Sequence, residues 1–227
     1  MIKRLVRWSA AAIVLGVLAV PARAEDSDGW HFAAALDALT AGNAKKHNLN
    51  AANKICAAQV AGGAASCAGT ATASGAFGAR LGAYYHSGSL YAGPTVGFLA
   101  GGPTAGKITA TTVPAGSMTR KAVDSTGRAL LEFGARAPLG DVWAVGLGAG
   151  LGMALVSEKS TCSDSGALAG TCAASGFNSS VKRGWATWEL GPFLEYRSLE
   201  FGFRFVSFGR KKYAPWSAYG AFLGGRF

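Results

Sequence analysis

Apolar and polar residues alternate with a period of two along most of the chain. Residues 128–137 are the clearest example, because every second residue is apolar and three of the residues between them are charged. The apolar positions are Ala129, Leu131, Phe133 and Ala135, and the charged ones are Arg128, Glu132 and Arg136. Since successive side chains of a strand point to opposite faces, this period predicts β-strands with one apolar and one polar face.

Eight segments with this pattern follow one another. The predicted strands cover residues 30–39, 73–85, 90–100, 128–137, 142–156, 185–197, 199–208 and 217–227. Long connections at 43–70, 101–127, 157–184 and 209–216 alternate with short turns. The first segment also has Phe32, Leu36 and Leu39 at helical spacing, so a helix is the competing interpretation there. An even number of strands with alternating long and short connections is typical of barrels in the bacterial outer membrane, and this favours a strand.

The last predicted strand carries a resemblance to that class of protein. Residues 217–227 alternate and end on Phe227, although Gly225 stands where a second aromatic or large apolar residue is usual. From residue 25 onwards the chain resembles the small eight-stranded outer-membrane barrels, namely the transmembrane domain of outer-membrane protein A and the W and X types, without favouring one branch. The resemblance implies that Phe227 anchors the closing strand and that the barrel-assembly machinery reads this strand.

The first 24 residues form a separate segment. A basic start at 3–7 and an apolar run at 9–20 precede small residues that end at Ala24. This order predicts a secretory signal peptide cleaved between Ala24 and Glu25, because the apolar run is too short to cross a bilayer as a helix. Cleavage removes four basic residues and no acid, which lowers the formal net charge from +10 to +6. Residues 25–227 are expected to be one domain in the outer membrane of a Gram-negative bacterium.

The chemistry of the two faces separates a membrane barrel from a soluble barrel of the lipocalin kind, which alternates in the same way. One face of the predicted strands is almost continuously Leu, Phe, Val, Ala and Trp, whereas the other carries Arg, Glu and Gly. Charges can point into the barrel only if the apolar face meets lipid. All nine lysines after residue 24 lie in predicted external connections. The sequence therefore predicts an all-β fold: an eight-stranded antiparallel up-and-down transmembrane β-barrel with four external loops and short periplasmic turns.

Several charged residues point into the predicted barrel near mid-height. They are Asp37, Arg80, Glu132, Glu189 and Arg204. In the narrow lumen of an eight-stranded barrel they predict a paired network that plugs the interior, because an unpaired buried charge is costly. The alternative is a narrow porin-like channel for a small solute. The uniformly small inward residues of 142–156 leave room for water or for such a path.

The four cysteines fall into two local pairs within external connections. Cys56 and Cys67 lie in the first connection, and Cys162 and Cys172 lie in the third. Because an exported protein meets an oxidising compartment, two local disulfides are the most economical of three possible connectivities. A metal site is the competing interpretation, but the spacing is not Cys-x-x-Cys and no histidine is close. No metal or other cofactor is expected.

A basic cluster lies at the tops of the last three predicted strands, beside Trp185 and Trp216. Its members are Lys182, Arg183, Arg210, Lys211 and Lys212. Cations above an aromatic belt suit contact with lipid phosphates, which predicts lipopolysaccharide of the outer membrane as a partner. Ordinary solvated charge is the alternative. Nucleic acid is not an expected partner of a barrel at the cell surface.

Catalysis on membrane lipids is a third possible function. It needs a nucleophile or a base, usually a histidine with serine or aspartate in reach. After the leader the chain has only His31, His47 and His86, of which two are predicted at the periplasmic rim and one in a loop. The sequence therefore predicts a non-enzymatic monomer with a structural or surface-interaction role, and it identifies no extracellular ligand.

Deletion of Phe227 is expected to lower the yield of folded protein, because the closing strand loses its lipid-facing anchor. The measurement is the folded fraction in isolated membranes, with Phe227→Tyr as the control that keeps an aromatic end. A normal yield after the deletion would make the terminal aromatic residue incidental.

Overall fold

The computed structural model describes residues 28–102, 105–210 and 213–227. These residues form, in chain order, β1 (Gly29–Leu39), α1 (Ala44–Ala61), β2 (Ser66–Ala73), β3 (Ala76–Ser87), β4 (Leu90–Ala100), β5 (Gly106–Val113), β6 (Gly116–Pro138), β7 (Trp143–Gly166), α2 (Thr171–Ala174), β8 (Ser179–Tyr196), β9 (Leu199–Arg210) and β10 (Tyr213–Arg226). The predicted cleavage site at Ala24 and Glu25, together with Lys211 and Lys212, lies outside the described residues.

Eight of these strands close into a ring of antiparallel pairs in the order β1, β3, β4, β6, β7, β8, β9 and β10. β1 completes the ring, because Ala35 lies opposite Arg80 on β3 and Leu36 lies opposite Leu223 on β10. The predicted fold class and the eight-strand barrel are confirmed. The strand at 30–39 is confirmed too, since pairing on both edges of β1 outweighs the helical spacing of its apolar residues.

The two ends of the barrel differ. The connections β3–β4, β6–β7 and β8–β9 are short and lie at one end, which we call the turn end. Phe227 also lies there, since its backbone N–H and C=O bond with Phe32 at 2.9 and 2.8 Å. The longer connections lie at the opposite end, which we call the loop end.

The long connections are not loops throughout, and this part of the prediction is wrong. Segment 43–70 contains α1 and part of β2, and 101–127 contains β5 and the upper part of β6. Segment 157–184 contains the upper part of β7, α2 and the start of β8, while β9 and β10 extend into 209–216. The physical reason is hydrogen bonding, because β6 and β7 pair from Gly116↔Gly166 to Pro138↔Ala144 and so extend well past the barrel wall.

α1 is not predicted from apolar periodicity, because its buried face has almost no large apolar residues. The buried positions are Ala44, Asn48, Ala52 and Cys56, one every fourth residue and hence on one face. The helix packs closely on β2, where a Cβ added at Gly69 would lie 3.0 Å from the Cβ of Ala52. Gly69 therefore permits this close approach.

Together these extensions form what we call the cap: α1, β2, β5, residues 116–122 of β6, residues 159–166 of β7, and α2. Its buried cluster consists of Ala52, Cys56, Ile108, Ala110, Met118, Leu168 and Cys172. Both disulfides belong to it. Cys56–Cys67 joins α1 to β2 with a Cα separation of 5.2 Å, and Cys162–Cys172 joins β7 to α2 with a Cα separation of 5.7 Å.

Outward side chains of the barrel strands form a continuous exposed apolar belt. On β7 the large members are Trp143, Val145, Leu147, Leu151, Met153 and Leu155, which are 38–69% exposed. The residue steps from Trp143 to Leu155, at about 3.3 Å each and a strand tilt of about 40°, give a belt height of roughly 30 Å. Ring pairs mark its turn end, with centroids 5.8 Å apart for Trp30–Tyr85 and 4.7 Å apart for Trp143–Tyr196.

Among the described residues no helix has both the length and the apolar character needed to cross a membrane.

Replacement of Cys56 and Cys67 by serine is expected to loosen the cap and to leave the ring of strands intact. The disulfide closes a short loop, whose release costs about 2–3 kcal/mol of local stability on the chain-entropy account. Limited proteolysis should then cut faster within residues 44–73, while the matched Cys162→Ser/Cys172→Ser variant should expose the region of α2 instead. Unchanged cleavage in both variants would mean that packing alone holds the cap.

Candidate functional site: the charged lumen

Six charged side chains meet inside the barrel. They are Asp37 on β1, Arg80 on β3, Arg128 and Glu132 on β6, Glu189 on β8 and Arg204 on β9. Every one is at most 6% exposed. All five residues that the sequence places near mid-height are therefore in one cluster, which we call the lumen network. It holds three arginines and three carboxylates, so its formal charges balance.

The arginines bridge carboxylates from different strands. Arg80 contacts Glu132 at 3.0 Å, Arg204 contacts Glu132 at 2.9 Å, and Arg128 contacts Glu189 at 3.0 Å. Arg128 also pairs with Asp37, and Arg204 also pairs with Glu189. Arg80 lies 3.8 Å from both Asp37 and Glu189. Each carboxylate thus shares at least two arginines, which is how buried charges offset the loss of water.

Glu132 is the most heavily bonded member of the network. Besides the two guanidinium groups, its Oε2 accepts hydrogen bonds from the hydroxyls of Tyr84 at 3.0 Å and Thr95 at 3.3 Å. The two hydroxyls are themselves 3.2 Å apart. These neutral donors come from β3 and β4, so a single carboxylate on β6 ties three adjacent strands together.

An aromatic ring supports two of the guanidinium groups. Arg80 and Arg204 each lie over the ring of Phe222, at 4.8 and 4.7 Å from its centroid. Phe222 is 4% exposed and comes from β10. Because a guanidinium above a ring face is attracted by the ring quadrupole, Phe222 adds a cation–π contact to the ion pairs.

The small inward residues of β7 leave room for side chains of other strands. A Cβ added at Gly146 would lie 2.1 Å from the Phe193 ring, and one added at Gly148 would lie 2.6 Å from the Tyr91 hydroxyl. A Cβ at Gly150 would lie 3.0 Å from Cγ of Glu189. The space expected beside β7 is therefore occupied by these three side chains.

Packed layers lie on both sides of the lumen network. Towards the loop end the buried residues are Leu39, Ala44, Ala76, Leu99, Ala154, Val156, Trp185, Val206, Phe208 and Ala218. Towards the turn end they are Ala35, Tyr84, Tyr91, Phe193 and Phe222. A second charged group follows, in which Arg226 contacts Glu195 at 3.2 Å and Glu200 at 3.3 Å. The cavity between this group and the lumen network measures about 10 Å³, about the space of one water molecule.

Arg128 is the member of the lumen network that the sequence does not place at mid-height. The predicted strand begins at residue 128, which would put this side chain at the rim of the barrel. In the structure β6 begins at Gly116, so Arg128 lies within the strand. The available signal is its spacing, because Arg128 and Glu132 are four residues apart and share a face of the strand.

The structure describes the side chains of two of the predicted lipid-contact residues, Lys182 and Arg183. Lys182 lies on the outer face of β8 and is exposed, whereas Arg183 is the next residue and so points to the other face. Arg210 ends β9. Lys211 and Lys212 fall outside the described residues, so their predicted role stays a prediction.

Three solved structures are similar to this chain at low sequence identity. Neisserial surface protein A is 11% identical, covers 87% of this chain and 96% of its own, and has a TM-score of 0.44. OprG of Pseudomonas aeruginosa is 11% identical, with coverages of 88% and 96% and a TM-score of 0.43. Ail, the attachment invasion locus protein of Yersinia pestis, is 10% identical, with coverages of 88% and 100% and a TM-score of 0.39.

Neither a protein-family model nor a curated protein matches the sequence.

Replacement of Glu132 by glutamine is expected to destabilise the barrel strongly, because Arg80 and Arg204 would share a neutral partner in a buried site. Breaking one side of a buried pair costs about 3–5 kcal/mol. The measurement is denaturant unfolding of the protein refolded in detergent micelles. Asp141→Asn, in the exposed turn before β7, is the matched control and should leave the unfolding free energy unchanged. Equal unfolding free energies of the Glu132→Gln and Asp141→Asn variants would contradict a stabilising role of Glu132 in the lumen network.

Proposed function

We propose that the protein is an integral barrel of the outer membrane with a sealed lumen, and that it acts as a structural and surface-interacting protein through its cap. One observation carries this proposal. The large apolar side chains of the barrel strands are exposed on the outside, whereas six charges at 0–6% exposure fill the inside. In water this distribution would be inverted, and only a surrounding lipid phase makes it favourable.

The dimensions of the belt support the same proposal. A belt of roughly 30 Å suits the hydrocarbon core of a bilayer. Aromatic rings at its turn end suit the interface between lipid and water. The turn end would then face the periplasm and the cap would face the outside, as in barrels with short periplasmic turns.

A sealed lumen is favoured over the narrow channel. Three filled layers lie along the axis: an apolar layer, the lumen network and an aromatic layer. The described cavity of about 10 Å³ holds about one water molecule, whereas ion conduction needs a continuous hydrated path. The interior therefore favours a role in holding the wall together over a role in transport.

The partners proposed for this barrel follow from its place. Outer-membrane lipid, including lipopolysaccharide, would surround the belt, and the assembly machinery would insert the chain through its closing strand. The disulfide-braced cap offers the surface for a partner outside the cell. No residue constellation in the site calls for catalysis, so we propose a non-enzymatic role.

The sealed-lumen proposal predicts that wild-type protein is nearly silent in planar bilayers, while the Glu132→Ala variant is less stable and conducts. Removal of this side chain frees space between Arg80, Arg204 and Gly148, whose added Cβ would lie 3.4 Å from Oε1 of Glu132. The measurement is single-channel conductance of refolded protein.

A folded barrel must be verified in the same samples, and it should migrate faster on gels before boiling than after boiling. Steady conductance of the wild type, with altered ion selectivity in Glu132→Ala, would favour the channel. Absence of any heat-dependent shift would overturn the membrane barrel itself.

A further inference from the structure

The outer wall has a notch where β6 changes partners. β5 pairs with residues 116–122 of β6, and β4 pairs with residues 125–135. The strands on either side of this change leave an open notch of about 510 Å³, whose lining includes Lys107, Lys121 and Val123. All three side chains are exposed on the outer face. The notch therefore lies outside the barrel, at the loop-end border of the apolar belt.

Two lysines directly oppose each other at the rim of this notch. Lys107 on β5 and Lys121 on β6 are register partners. Like charges at directly opposed positions destabilise a sheet. The same row continues with Thr72 on β2 and Thr161 on β7, so two ammonium groups are flanked by two hydroxyls. This set of donors suits the oxygens of a phosphate group.

The neighbouring charges leave this rim cationic. Lys159 on β7 lies opposite Val123 and is exposed on the same outer face. Asp124 lines the notch but is only 2% exposed, and its Oδ2 accepts a hydrogen bond from the Ala105 N–H at 3.1 Å. Glu158 is 6% exposed and pairs with Arg120. Both carboxylates belong to the inner face of their strands, so the exposed lysines have hydroxyls beside them on the outer face.

An apolar groove lies in the belt at Gly127, six residues along β6 from Lys121. Gly127 on β6 lies directly opposite Phe98 on β4 and Leu155 on β7. The two large side chains are 54% and 69% exposed, and a Cβ added at Gly127 would meet nothing within 4 Å. The groove between Phe98 and Leu155 is therefore open to the outside.

We propose that the Lys107–Lys121 pair and this groove form a binding site for one anionic membrane lipid, with its phosphate group at the lysines and an acyl chain between Phe98 and Leu155. A free anion would use the lysines but not the apolar groove, so a lipid is the occupant that matches both parts. The site rests on the proposed function, because the groove is filled by lipid only if β6 crosses a membrane. It shares no residue with the basic cluster predicted at 182–183 and 210–212.

The test is titration of the protein, folded in zwitterionic detergent micelles, with three probes followed by native mass spectrometry. The probes are phosphatidic acid, the diacylglycerol with the same chains, and inorganic phosphate. The wild type is expected to retain phosphatidic acid in preference to the other two. Lys107→Gln/Lys121→Gln should weaken this binding about tenfold or more. The control Lys45→Gln/Lys54→Gln removes two exposed charges from α1 and should bind like the wild type.

A second variant tests the groove. Gly127→Leu fills the space between Phe98 and Leu155 without removing a charge, and it should also weaken the retention of phosphatidic acid. Equal binding of phosphatidic acid by the wild type and the double-lysine variant overturns the site. Binding of inorganic phosphate or of diacylglycerol as tight as that of phosphatidic acid overturns it too. If the wild type forms no heat-shifted barrel in the micelles, the proposed function fails instead.

Discussion

Closure of the hydrogen-bond ladder between β1 and β10 is the constraint on which the rest of the structure depends. Seven register pairs, from Ala33↔Arg226 to Leu39↔Gly220, join these two strands. In lipid no water is available for an open sheet edge, so a spanning sheet must close on itself. Once the sheet is closed, the alternation of side chains along each strand places every side chain on either the lipid face or the lumen face. A slip of one residue would exchange the two faces and place Arg128 and Glu132 in the membrane.

Closure with eight strands also explains why the interior is filled. A ring of this size leaves a lumen that side chains can occupy completely. The lumen network does not need to add stability over an apolar filling, because buried ion pairs often gain little over apolar residues of similar volume. Its bonds run between different strands, however, and Glu132 alone contacts donors from three of them. Each of these bonds needs one arrangement of the strands, so a shifted register would break them.

The barrel could be predicted from the sequence because apolar and polar residues alternate strictly along the strands whose outer face meets lipid. Even Trp30 to Leu39, with its helical spacing, obeys the parity of its neighbours. The cap could not be predicted in this way, since α1 buries Ala44, Asn48 and Ala52, which give no apolar stripe. The lumen network was predictable residue by residue except for Arg128. The height of Arg128 in the barrel depends on where β6 begins. The ends of a strand are set by pairing with neighbours such as β7, which a local sequence pattern does not reveal.

β6 connects the barrel and the cap mechanically. It is hydrogen-bonded to β7 along its whole length, to β5 at residues 116–122 and to β4 at residues 125–135. The cap is therefore a continuation of the barrel wall. α1 is tied to the same wall, because Asn43 Oδ1 accepts a hydrogen bond from the Ser217 N–H at 3.0 Å. A surface held in this way loses less conformational entropy on binding than free loops do. The change of partners along β6 has a second consequence: it interrupts the wall at the border of the belt and creates the notch beside Lys107 and Lys121. The strand that stiffens the cap therefore also shapes the notch at which we propose that an anionic lipid binds.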